Sequence, residues 1–404
     1  MGPGIHPHTL LPRPQRSQPK PATTRTHKLA RDNLYHPRGN TYFFKSQFLT
    51  TLPYPSGSYA GKNIIVTGSN TGLGLEAARH FVRLGCSRMI LAVRNLEKGN
   101  QAKASIEHST GCSEGIISVW ELDLCSYSSV QSFASRVSAE LERVDILLLN
   151  AGVCALKGPW RIVEEDEEAI TVNVVTTFLL AFLLFPKLRE TARLFPDTVS
   201  PGPTMTVVTS LAHTYTDFRL SRTAPEGQLF KSLSSPDRPE AMFDDHTDQY
   251  FISKLLQIFL VRAMAAECPV EKTGVTINCV QPGFVKSGLF KFESHVHGLF
   301  AVAFGMAMNG LVARSTECGS RTFMHAASQG GKESGTHGGY LSDCMMDEPG
   351  EFVTGEEGGG GAGEGVEGVE GEGGGGLSGG SEGVGGLRLG LLRRRGDGSD
   401  VVRT

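Results

Sequence analysis

The chain has 404 residues with a formal net charge of −3, and 39% of them are hydrophobic. Many of its 50 glycines and part of its acidity sit in one tract after Gly355, so the overall charge says little about partners. Eight cysteines without Cys-x-x-Cys or paired Cys/His spacing exclude a zinc module or a disulfide framework, and predict reduced thiols in a cytoplasmic protein.

Residues 1–45 are rich in Pro, Arg, Lys, His and Thr, with Asp32 as the single acid and no sustained periodicity. Such a stretch buries too little apolar surface to order, and it reads as a disordered extension. Its acid-poor, Arg-bearing character also fits an organelle transit peptide, against which stands the early proline series of MGPGIHPHTLLPRP. Residues 351–404 read as a flexible Gly/Glu-rich tail ending near the basic Arg393–Arg395 cluster, too short a cluster to indicate nucleic acid. The folded domain is expected over 46–350.

Within it, β-type runs alternate with helix-type segments. The strand candidates are 63–67, 88–93, 116–122, 144–150, 204–210, 274–280 and 338–341. Several are near-continuous apolar runs, the pattern of strands buried on both faces of a parallel sheet. The expected fold is α/β: a Rossmann-type doubly wound, seven-stranded, mostly parallel sheet flanked by helices in a single domain with disordered tails.

The first strand runs directly into Gly68-Ser69-Asn70-Thr71-Gly72-Leu73-Gly74, and helical periodicity follows through Leu75, Ala78, Phe81 and Val82 to Gly85. A strand-to-helix turn at the carboxyl edge of a sheet presents unpaired N–H groups and the positive end of the helix dipole, which attract phosphate. Side chains there would hold the ligand away. The spacing differs from G-x-G-x-x-G, and the alternative is a bare tight turn.

The acidic run VEEDEEAI at 163–170 reads as a helix start, favourable at the positive end of the dipole. The longest apolar runs, 176–185 and 298–313, fall short of the ~20 residues that span a bilayer. No transmembrane segment is expected, and the second run leaves peripheral membrane contact open. FLLAFLLF suits a homodimer interface and a buried helix equally well. The twelve histidines show no metal spacing, so no metal is expected.

TGSNTGLG after the first strand, LNAG at 149–152 and Tyr250-x-x-x-Lys254 resemble the short-chain dehydrogenase/reductase superfamily from about Gly61 to Cys344. ILAVRN, TSLAH, YFISKLLQIF, VQPGFVKS and GYLSDC resemble its retinol-dehydrogenase-like branch, including uncharacterised fungal members. Tyr250 and Lys254 share one helix face, which sets an ammonium beside a phenol. Lowering a phenol from ~10 by about 3 units takes roughly 4 kcal/mol of phenolate stabilisation, which a lysine and an oxidised nicotinamide together can supply. Ser210 ends a strand at the ligand edge, and the resemblance implies that it donates to the substrate carbonyl. The resemblance also implies that Asn173 supports a water-linked proton relay to the lysine.

Arg94 stands where an acid would meet the ribose of a cofactor lacking the 2′-phosphate; its guanidinium favours NADP(H). By resemblance, the cofactor also meets Gly68, Ser69, Asn70, Gly72, Leu73, Gly74 and Lys254. Asp123 and Leu124 border the adenine, Asn150, Ala151 and Gly152 line the ribose, and the Val285 backbone meets the carboxamide. Two departures from the family pattern are Leu149 in LNAG and Ser287 where Thr is common. A third is the gap of forty positions between Ser210 and Tyr250, whose loop is expected to form a substrate wall or lid, opposite a second wall at 288–313.

The resulting expectation is an NADP(H)-dependent oxidoreductase acting on a small apolar carbonyl or its alcohol. The alternative is a non-catalytic NADP(H)-binding sensor or scaffold.

Overall fold

The computed structural model describes residues 43–154, 160–196, 202–216, 218, 220–236, 248–286, 312–331 and 334–354. The expected extension through residue 42, the tail from 355 and most of the 288–313 wall lie outside them.

The strands are β1 (Asn63–Thr67), β2 (Arg88–Val93), β3 (Ile117–Glu121), β4 (Ile146–Leu149), β5 (Ile162–Val163), β6 (Asp166–Glu167), β7 (Thr204–Val208), β8 (Thr276–Val280), β9 (Tyr340–Ser342) and β10 (Met345–Asp347). The main sheet runs β10-β9-β8-β7-β4-β1-β2-β3, and all its pairings are parallel except β9 with β10. Strands β4 and β7 are wholly buried, as continuous apolar runs with helices on both sides require.

Long helices fill both faces: α1 (Gly72–Arg83), α2 (Leu96–Thr110), α3 (Tyr127–Glu140), α4 (Glu168–Leu194), α5 (Asp248–Glu267) and α6 (Thr316–Ala327). One core layer joins α3, α4 and α5 around Phe178, Leu180 and Leu255, and the other joins α1, α2 and α6 around Phe81, Ile106 and Phe323. Asn95 and Ser126 cap α2 and α3 through their side chains. The strand order reverses beside β1, between β2 and β4, which opens a crevice at the carboxyl ends of β1 and β4.

The eighth strand, β10, is an addition to the seven expected. Its turn places Asp343 and Cys344 at φ of +50° and +61°, a backbone that the glycine-poor sequence there does not advertise. The acidic run also divides in two. Residues through Glu167 form the β5–β6 hairpin, and Glu167 then caps α4 by accepting from Ala169 N and Ile170 N at 2.9 and 3.2 Å.

Helix α4 has 27 residues, and its most apolar stretch has a mean hydropathy of 2.1, enough by length and composition to cross a membrane. Its most apolar stretch is 78% buried within the protein, which makes it a core helix. The described part of the 211–249 insertion also packs inward, with Phe218, Phe230 and Leu233 buried in the core of α3, α4 and α5. Phe352 closes that core against Phe218 and Phe259, with ring centroids 6.4 and 6.2 Å apart. At the other end of the described chain, Gln47 Nε2 donates to Phe284 O and Val312 O at 2.6 and 2.9 Å.

Candidate active site

The turn after β1 explains its glycines. Gly68 and Gly72 have φ of +65° and +63°, where a side chain is strained. A Cβ on Gly74 would stand 2.7 Å from Gly68 O and 2.5 Å from Asn150 Nδ2. Asn150 stitches this turn to β4: its Nδ2 donates to Thr67 O at 2.8 Å, while Thr67 Oγ1 accepts from Asn150 N and Ala151 N at 3.0 Å each. Ser69 is fully buried, and its hydroxyl donates to Val66 O at 2.9 Å. Its side chain therefore shapes the turn, leaving the backbone to face a ligand. Asn70 and Leu73 are half-buried at the mouth.

Arg94 is exposed just past β2, and no described residue partners its guanidinium. Asp123, just past β3, accepts from Cys125 N at 2.9 Å. Leu124 turns into the core, and its carbonyl accepts from Thr176 Oγ1 at 2.8 Å, so it can border a cofactor through backbone only. Val285 is buried beside Leu73 and Gly319, where a Cβ on Gly319 would come within 2.6 Å of Val285 Cγ2.

Ser210 follows β7 and caps the short turn Leu211–Tyr215, accepting from Ala212 N at 3.1 Å. Its side chain stands beside the Tyr250 phenol. Tyr250 is 4% exposed, and burial raises its phenol above the ordinary 10.0; the Cys154 thiol adds to the rise, and the Ser210 hydroxyl opposes it. Burial therefore outweighs the lowering influence expected of the lysine.

The placement of Lys254 explains this. Its Nζ donates to Val208 O at 3.0 Å and Gln257 Oε1 at 3.1 Å, and it stands 5.6 Å from the centroid of the Tyr250 ring. Burial lowers Lys254 to about 8, with Cys154 pulling the other way. Thr209 Oγ1 donates to Lys254 O at 2.8 Å and ties the helix to the end of β7.

Asn173 sits where α4 widens over Thr171–Thr176, a break in the ordinary helical ladder. Its Oδ1 accepts from Val153 N at 2.8 Å, and its Nδ2 donates to Val153 O and Ser253 Oγ, both at 2.9 Å. Gly152 fits this junction because a Cβ there would lie 3.0 Å from Asn173 Oδ1 and 3.6 Å from Lys254 Nζ.

The structure thus gathers Ser210, Tyr250, Lys254, Asn173 and the Gly152 loop at the crevice edge, with the Gly68–Gly74 turn beside them. Sequence reasoning missed Cys154, His213 and Gln257. Burial pushes the Cys154 thiol up to about 12, so it is an unreactive neighbour of Tyr250 and Lys254. His213 Nε2 accepts from Gly350 N at 2.9 Å, which assigns the proton to Nδ1 and makes it donate to Ser210 O at 2.7 Å. Gln257 had a sequence signal: it lies three positions beyond Lys254, on the same helix face.

The described residues contain no cluster of potential metal ligands. Their glycine turn, strand order and Ser/Tyr/Lys grouping agree with the family-model match, to short chain dehydrogenase over residues 62–193. The short chain dehydrogenase/reductase dmxR8 of Cryptosporiopsis sp. (strain 8999) is 48% identical over 316 residues, 78% of this chain and 91% of that one. The short chain dehydrogenase atnD of Emericella nidulans is 44% identical over 305 residues, 75% of this chain and 90% of that one. In fold alone, the chain is similar to a short-chain type dehydrogenase/reductase from Mycobacterium marinum, at 19% identity and a TM-score of 0.51, covering 70% of this chain and 94% of that one. With two relatives matched over nine-tenths of their length, the chain is an oxidoreductase of the short-chain dehydrogenase/reductase family.

Proposed function

We propose that this oxidoreductase uses NADP(H) to interconvert an apolar aldehyde or ketone and its alcohol, with Tyr250 as the acid/base. The observation that carries the reading is the buried Tyr250 phenol beside Ser210, with the Lys254 ammonium 5.6 Å from its ring on the same helix face.

The residues fit the cofactor. The bare turn at Gly68, Gly72 and Gly74 is a cradle that a Cβ would fill, as phosphate approach demands. The unpartnered Arg94 guanidinium matches a 2′-phosphate in charge and shape. When bound, the nicotinamide supplies or accepts the hydride.

This chain's own groups handle the oxygen and its proton. Ser210, oriented by the Ala212 N–H, donates to the carbonyl oxygen as negative charge develops there. Tyr250, held protonated by burial, gives its proton to the nascent alkoxide in the reductive direction and takes one back in the oxidative direction. Lys254 has two of its three N–H donors committed to protein acceptors, and the third remains for the cofactor's ribose. The apolar character assigned to the substrate rests on the half-buried Tyr215 and Phe251 rings, 5.6 Å apart beside Tyr250, since Phe218, Phe230 and Leu233 of the insertion face the core.

Purified protein titrated with NADPH and NADH, then assayed on apolar aldehydes, ketones and quinones by nicotinamide absorbance, tests the reading. NADPH preference with turnover is expected. NADPH binding without turnover across the panel would overturn the enzyme assignment, and NADH preference would overturn the role of Arg94.

A further inference from the structure

Gln257 joins two parts of the site. It is 1% exposed on α5, where its Oε1 accepts from Lys254 Nζ at 3.1 Å and its Nε2 donates to the main-chain oxygen of Asn173 at 2.8 Å. The amide therefore bridges the ammonium and the widened turn of α4 with both ends satisfied, and its orientation is fixed because Lys254 can only donate and a carbonyl can only accept. Lys254 has one further acceptor, Val208 O at 3.0 Å, and no described residue takes its third N–H.

We propose that Gln257 is a positioning residue that ties the Lys254 ammonium to the widened turn of α4 and leaves it a single N–H for ligand. This inference rests on the roles proposed for Tyr250 and Lys254.

Among the described residues, few titratable groups lie on the elements packed around Lys254. On α5 there is Tyr250, on the loop after β4 the Cys154 thiol, on β8 the buried Cys279, and on the turn after β7 His213, which is bound to Ser210 O and Gly350 N. On the α4 side stand Glu167 and Asp166, the first occupied in capping its helix and the second accepting from Ser234 Oγ. Burial sets Lys254 at about 8 and moves Tyr250, Cys154 and Cys279 upward, so Lys254 is the one of these four that titrates near neutrality.

The test is the NADPH dissociation constant of the full chain, read by nicotinamide fluorescence between about pH 7 and 10, for wild type, Gln257→Met and Gln257→Glu. Wild-type affinity should weaken on the alkaline side as Lys254 loses its charge. Removing the amide acceptor in Gln257→Met should move that limb down by about one pH unit, and the carboxylate of Gln257→Glu should move it up by about as much. A merely structural role would lower the melting temperature and leave the limb in place. Superimposed limbs in both variants, shifts of the same sense, or a wild-type profile without a limb would overturn the inference. If Gln257→Met does not fold, Gln257→Glu decides alone, and an unmoved limb counts against the proposal. Failure of the functional reading looks different: wild type would not bind NADPH, or Tyr250→Phe would keep its turnover.

Discussion

The two halves of the site are built by different means. Around β1, β2 and β4, backbone geometry shapes the proposed cofactor side: two positive-φ glycines, a third too close to Gly68 O for any Cβ, and an Asn150 amide that stitches the turn to the end of β4. Around β7 and α5, side chains shape the proposed substrate side: Ser210 stands beside Tyr250, while hydrogen bonds tie Lys254 to Gln257 and to Val208 O, and Gln257 to Asn173 far away in sequence. Backbone geometry forces a residue type and tolerates no change; a side-chain network allows several compositions but couples its members. Substitutions at the glycines of the first side should therefore cost stability and cofactor affinity together, and those at the site side chains of the second should spare the fold and remove turnover.

The largest expected effect is Tyr250→Phe, which keeps the ring in its buried place and deletes the phenolic proton. We expect kcat to fall by about 10³-fold, within the range for losing a general acid, while the melting temperature and NADPH affinity stay near wild type. Steady-state kinetics beside a thermal melt check both parts, and a large loss of stability would break the contrast between the halves. Next comes Gly68→Val. At φ +65° its Cβ would meet Ala151 Cα at 2.9 Å. The αL conformation alone costs roughly 1–2 kcal/mol and the backbone clash adds to it, so both urea stability and NADPH binding should fall. A variant that loses one and keeps the other would show that the turn and the cradle are separable.

The same contrast explains how much was legible in the sequence. The three-glycine turn, the continuous apolar strands of a parallel sheet and the Tyr250/Lys254 pair were readable because each imposes residue types in a fixed pattern. Strand β10 was not, because Asp343 and Cys344 occupy backbone conformations for which glycine or asparagine is the usual signal. The direction of the Tyr250 shift was not legible either, since it depends on burial and on where Lys254 spends its hydrogen bonds, neither of which a four-residue spacing encodes. Phe218, Phe230 and Leu233 looked like lining for a lid, yet they close the core, because apolar residues in a polar loop read alike whether they face substrate or protein. The buried Glu167 cap lay in plain sight in the acidic run, displaced only by the unforeseen hairpin before it.

A smaller effect belongs to Arg94. Exposed and without a partner among the described residues, it adds little to folding, so Arg94→Glu should leave the melt unchanged. A hydrogen bond to a charged group is worth about 1.5–3 kcal/mol, so the ratio of NADPH to NADH affinity should drop by roughly 10- to 100-fold, read by parallel fluorescence titrations. An unchanged ratio would place the 2′-phosphate elsewhere and remove the one discriminating side chain from the backbone-built half.

The smallest expected effects compare two helix caps, one from each half. Ser126 caps α3 by accepting from Ser129 N at 3.3 Å, and α3 carries none of the proposed catalytic groups. Glu167 caps α4 through two backbone N–H groups, and its own N–H donates to Ser234 Oγ at 3.0 Å. Either change to Ala should cost about 1 kcal/mol in urea unfolding, the usual value of an N-cap. Their catalytic consequences should part. The cap of α4 lies six residues before Asn173, whose amide holds Val153 and Ser253 and whose carbonyl anchors Gln257. Fraying that first turn should therefore reach Lys254 and lower kcat by a few-fold, while Ser126→Ala leaves kcat alone. Equal kinetics in the two variants would mean that the widened turn holds Asn173 independently of the helix start, and that the side-chain network is stiffer than its long-range bonding implies.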